Sequence, residues 1–177
     1  MTDWTMVSRW CLFVLTMAVL QIGIAPNFMF FGVIADFMLL AAIAAGVAAG
    51  PQRGAVVGFF AGLVYDLMRP GPLGLSALAF SLVGFAVGSL LVSVLQVRRW
   101  LAAGIVVVAT MVGELTAAVG AQLFGGETLA NPRLWTIVVV TGLVNGALSF
   151  VVLPVARWAE GANAMADGGG MLGTIDG

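Results

Sequence analysis

Long apolar runs, nearly free of charge and filling almost the whole chain, constrain this sequence more than any other feature. Trp10 to Ala25, Asp36 to Ala49, Gln52 to Met68, Leu73 to Val97, Leu101 to Phe124 and Leu134 to Val155 each read as an apolar helix. Only 8% of the residues are charged, where a soluble domain carries about 25%. Mean hydropathy is +1.13. So few ionic groups cannot cover a water-facing surface, and lipid is the solvent such a chain suits. The sequence predicts an all-α integral membrane protein of about six transmembrane helices.

The breaks between runs support that count. Pro26-Asn27 ends the first run, and Phe28 to Ile34 is either a re-entrant piece or a lead into the second helix. The first run also has the small residues Gly23 and Ala25 that a signal-peptide cleavage site uses, but membrane-like segments follow it throughout, and a retained helix is the simpler reading. Gly50-Pro51 separates the second and third runs. One continuous helix from Asp36 to Met68 would be about 50 Å long, against a hydrocarbon core of about 30 Å, so two short spans fit better. Arg69-Pro70-Gly71-Pro72, Arg98-Arg99 and Gly125-Gly126 mark the next breaks. Pro154 is expected to kink or end the sixth helix, and residues 160–177 read as a polar, Gly-rich tail.

Charge placement orients the bundle. With six spans and the N-terminus inside, Arg9, Arg53, Arg98, Arg99 and Arg157 fall on the cytoplasmic side and Arg69 and Arg133 outside, as the positive-inside rule requires. Both termini are then cytoplasmic. Trp10, Trp100, Trp135 and Trp158 fall near helix ends, where interfacial aromatics belong.

Composition also removes function classes. Net charge is −1, which leaves no basic face for nucleic acid. The chain has no His and one cysteine, Cys11. It therefore has no His-based metal site, no Ser-His or Cys-His catalysis and no intramolecular disulfide. No Gly-Lys-Ser/Thr loop and no carboxylate-rich metal cluster occur, so neither catalytic residues nor a cofactor are expected.

What remains is a small set of glycines and intramembrane polar residues. Gly54, Gly58, Gly62 and Asp66 recur along one face of the third helix, a pattern that lets helices approach closely in lipid. This face is a candidate for partner contact or for internal packing. Asp66 lies where the helix dipole disfavours negative charge. Arg69, three residues on, is placed to form an ion pair with it. Asp36 stands where an N-cap of the second helix belongs. Glu114 is deep in the fifth helix at a depth similar to Asp66, so the two acids either face each other or one is neutralised by Arg133. Gln21 and Asn145 share a mid-membrane depth suited to interhelical hydrogen bonds.

The stretch Gly58-Phe59-Phe60-Ala61-Gly62-Leu63-Val64-Tyr65-Asp66, followed by Leu73-Gly74, resembles the Gly-Phe-x-x-Gly-Leu-x-x-Asp pattern with a downstream Leu-Gly of the MreD family, the rod-shape-determining membrane proteins. Family members tend to open the second helix with Pro-Asp; here Ala35-Asp36 stands in that place. The resemblance is specific from about Asp36 to Gly88 and general elsewhere. It implies a non-enzymatic component of the bacterial cell-elongation machinery in the cytoplasmic membrane. The partners it implies are the single-span protein MreC, a RodA-type glycosyltransferase with its penicillin-binding transpeptidase, and the actin-like MreB. It also implies a fold resembling the six-helix S-components of energy-coupling-factor transporters. A substrate-binding subunit of that transporter type is the alternative function, with Tyr65, Asp66, Glu114, Gln122 and Arg133 as its few outer polar groups. Whether the glycine face ending in Asp66 is a partner contact or internal packing, Asp66→Asn should disturb complex formation or local folding.

Overall fold

A computed structural model describes residues 4–24, 32–69, 72–91, 99–125, 129 and 131–161. Six helices account for most of them: α1 Trp4–Gly23, α2 Phe37–Ala49, α3 Pro51–Met68, α4 Leu75–Leu91, α5 Arg99–Leu123 and α6 Leu134–Glu160. No strand occurs among the described residues. The expected lead-in at Phe28 to Phe31, the segment after Leu91 and the tail beyond Gly161 lie outside them. Three helices, α1, α5 and α6, are long and apolar enough to cross a membrane, while α2 and α4 are shorter apolar helices.

The organising element is α2. Its sequence, FMLLAAIAAGVAA, carries no polar side chain, and Met38 through Ala45 are completely buried. It touches all five other helices. These form a ring around it in the order α1, α3, α4, α5, α6, with α6 closing back on α1. In lipid, polarity does not separate a core helix from a lipid-facing one, because both are apolar. Size does: the Ala and Gly positions of α2 leave room for neighbours on every side. Its 13 residues span about 20 Å, less than the hydrocarbon thickness. Phe37 through Gly46 are buried, so the backbone groups at the start of α2 need protein partners.

The chain leaves α2 through one residue. Gly50 adopts φ +83° and ψ −177°, a conformation that favours glycine. Pro51 follows as the first residue of α3, where a missing N–H costs nothing. The reversal folds α3 back along α2. A Cβ on Gly54 would come within 2.8 Å of the Gly46 Cα and 2.7 Å of the Gly84 carbonyl carbon. Three helices thus meet backbone to backbone at Gly46, Gly54 and Gly84.

Pro154 does not end α6. The helix continues to Glu160 because its last turns are held on the core side by Leu153, Ala156 and Ala159, all buried. Polar contacts secure the end. Glu160 accepts a hydrogen bond from the Trp10 indole at 3.1 Å and pairs with Arg53 at 3.8 Å. The Arg9 guanidinium lies over the Trp158 ring at 5.2 Å. These contacts tie α1, α3 and α6 together and outweigh the one helical hydrogen bond that proline removes.

Candidate functional site

The polar residues gather at the N-terminal end of α2. Asp36 is 4% exposed and caps this helix, its carboxylate accepting from the Leu39 N–H at 2.8 Å. Gln21 of α1 serves the same end twice. Its Oε1 accepts from the Phe37 N–H at 2.7 Å, and its Nε2 donates to the Ala35 carbonyl at 3.3 Å. Asn145 of α6, completely buried, donates from Nδ2 to the Asp36 carbonyl at 3.0 Å. Gln21 and Asn145 therefore bond to the backbone at the start of α2 rather than to each other. A helix end with free N–H groups is costly away from water; Asp36 and Gln21 accept from two of them, and Asn145 adds a donor to the Asp36 carbonyl, at the start of a helix that begins deep in the bundle. Counted along α6, Asn145 lies about 16 Å from Leu134.

Tyr65 and Arg69 of the α3 end complete the cluster. The Tyr65 hydroxyl lies near the Asp36 carboxylate. Arg69 donates to that hydroxyl, with its guanidinium 5.1 Å from the ring centre. Glu114 of α5 lies within electrostatic range of Asp36, Tyr65 and Arg69. The charged groups near Glu114 are thus those of the Asp36 cluster. Arg133 is exposed, and its backbone N–H bonds the Asn131 side chain at 2.9 Å.

Asp66 is engaged elsewhere, and the ion pair suggested by its spacing from Arg69 does not form. Arg69 leaves the helix with φ −128° and ψ 144° and turns to Tyr65. Asp66 instead reaches across the α3–α4 turn. It accepts from the Gly74 N–H at 2.7 Å and from the Ser76 N–H at 3.2 Å. Gly74 opens α4 at φ +96° and has no side chain to cap the helix itself. A carboxylate from the preceding helix supplies that acceptor, next to the positive end of the α4 dipole. Asp66 is thus at the unfavourable end of its own helix and the favourable end of the next.

The glycine stripe faces the same neighbour. A Cβ on Gly54 would strike the Gly84 carbonyl, one on Gly58 the Phe80 carbonyl, and one on Gly62 the backbone of Ser76 and Ala77. These glycines are occupied by α4 within the chain, which leaves that face unavailable to a partner. The two halves of the sequence pattern, Gly58 to Asp66 and Leu73-Gly74, are one α3–α4 hairpin: the glycines set its spacing and Asp66 ties its turn.

A family model described as rod shape-determining protein MreD matches residues 2–156. The chain belongs to the MreD family. No curated protein and no solved structure matches it. MreD membership makes this a rod-shape-determining membrane protein, in keeping with its three long apolar helices. Every polar side chain of the cluster lies within the matched residues.

The sequence reading did not anticipate the part Tyr65 plays between Asp36 and Arg69, nor the Glu160 contacts with Trp10 and Arg53. One signal for the first was present: Tyr65 is the only tyrosine in the chain and sits one residue before the motif acid. Chemically the cluster contains two carboxylates, a phenol and a guanidinium already turned towards one another. That arrangement orders helix ends. The described residues contain no group of three or more potential metal ligands.

Proposed function

We propose that this protein is a non-enzymatic scaffold of the cell-elongation machinery, a six-span bundle of the cytoplasmic membrane with both termini inside. In this reading it binds MreC within the bilayer and, directly or through MreC, supports the RodA-type glycosyltransferase and its transpeptidase in peptidoglycan synthesis. Family membership carries the proposal. The chemistry of the interior supports it, because Asp36, Asp66, Gln21 and Asn145 all serve helix ends. With α2 and the glycine face of α3 covered inside the chain, a partner helix has the lipid-facing surfaces of the outer ring to dock on, such as the exposed Phe59, Phe60 and Val56 side of α3.

The test is to purify the protein at native level from its own membranes in mild detergent and identify what accompanies it by mass spectrometry. Recovery of MreC, with or without the two synthases, is the expected result. A second reading, a substrate-binding subunit of a transporter, rests on one observation: polar groups from α1, α3 and α6 converge where α2 begins. Recovery of two ATPases and a coupling membrane subunit in place of MreC would establish that reading and overturn the first.

A further inference from the structure

The arginine-rich end of the bundle has a feature that scaffolding does not use. Between α5 and α6 lies a groove of about 150 Å³. Arg99 and Arg157 stand on its walls, and Phe150, Leu153 and Pro154 supply apolar lining. Neither guanidinium has a hydrogen-bond or ion-pair partner among the described residues; the ion pair found there joins Arg53 to Glu160 instead. Trp100 and Trp158, 81% and 59% exposed, flank the arginines in sequence. Exposed tryptophans of this kind settle at the level of lipid head groups.

Two unpaired guanidiniums beside an apolar groove at that depth are complementary to one kind of molecule. A guanidinium fork matches phosphate oxygens in a bidentate geometry. A head group with net negative charge neutralises what a zwitterionic one leaves uncompensated. We propose that the α5–α6 groove binds an anionic phospholipid, its phosphate between Arg99 and Arg157 and an acyl chain along Phe150, Leu153 and Pro154. The site is at the opposite end of the bundle from the Asp36 cluster and does not depend on which partners the protein has. Lipid in this groove would fill the gap between two ring helices and couple their packing to membrane composition.

The full-length protein, purified in mild detergent, is titrated with phosphatidylglycerol or phosphatidylcholine, and retained lipid is counted by native mass spectrometry. Preferential retention of phosphatidylglycerol is expected. The Arg99→Gln/Arg157→Gln double variant should lose that preference by on the order of tenfold or more, the scale two guanidiniums near a membrane surface produce. Arg133→Gln, at the other end of α6, should keep it. Equal retention of both lipids by the unaltered protein would overturn the proposal, as would the same loss in Arg133→Gln. A photoactivatable phosphatidylglycerol on the unaltered protein gives an independent reading should the double variant fail to fold. Crosslinks on the peptide containing Phe150 and Leu153 support the site, and crosslinks confined to other helices refute it.

Discussion

At the scale of single residues, the recurring task is satisfying backbone groups that water cannot reach. Asp66 illustrates how one side chain meets it and why sequence spacing misled. An acid in the last turn of a helix looks misplaced until the next helix is seen to start against it, with Gly74 and Ser76 donating to the carboxylate. Asp66→Ala should destabilise the bundle by about 1–2 kcal/mol, the cost of losing a good N-cap. Asp66→Asn, which keeps an acceptor but loses the charge, should recover part of that. Thermal unfolding in detergent measures both. A melting temperature unchanged in the Ala variant would exclude the capping role. Asp36 was legible as a cap from its position alone, because a helix N-cap depends on the next three residues. The neighbours of Glu114 were not, because two other helices, α2 and α3, set them.

At the scale of elements, close approach of backbones holds α2, α3 and α4 together. Lipid tails are as apolar as the helix surfaces, so packing contacts are what favour association. The consequence is a contrast between two glycines. Gly58→Ala places a methyl group against the Phe80 carbonyl and the Ser81 nitrogen, and the helices must separate. That should cost at least a few kcal/mol, in the range of an overpacked core. Gly104→Ala on α5 meets nothing within 4 Å and should be neutral or slightly stabilising, since alanine is the better helix former. Comparing the two variants by yield of folded protein and by melting temperature tests the seam directly; equal behaviour would contradict it. The small-xxx-small spacing was visible in the sequence. Which neighbour it met was not, because the same spacing recurs at Gly84 and Gly88 of α4 and at Gly142 and Gly146 of α6.

At the scale of the whole molecule, the question is how a buried helix of 13 residues fits a bilayer. The ring helices α5 and α6, with 25 and 27 residues, run about 38–40 Å, long enough to cross, while α2 is enclosed. The proposed arrangement, six spans with both ends inside, should be visible as accessibility. In a Cys11→Ser background, single cysteines at Thr5 and Gly173 should react with a membrane-impermeant maleimide only after the cytoplasmic face is opened. One at Leu129 should react in intact cells with a permeable outer envelope. Labelling of Thr5 and Gly173 positions from opposite sides would mean an odd number of spans.

The sequence by itself determined the membrane class, the all-helical class and the breaks between the six helices described. Those follow from composition, from runs of apolar residues and from Gly-Pro breaks, all of which act locally or on average. It also carried the family pattern, since Gly58, Gly62, Asp66 and Gly74 belong to one local hairpin. Only the tertiary structure decided that α2 is the enclosed helix, that Asp66 caps α4, and that Tyr65 and Arg69 turn to Asp36 with Glu114 nearby. The physical reason is the solvent. In water, a polar face and an apolar face tell which side of a helix is buried; in lipid both sides are apolar. The choice then rests on backbone fit and on a few hydrogen bonds between residues far apart in the chain.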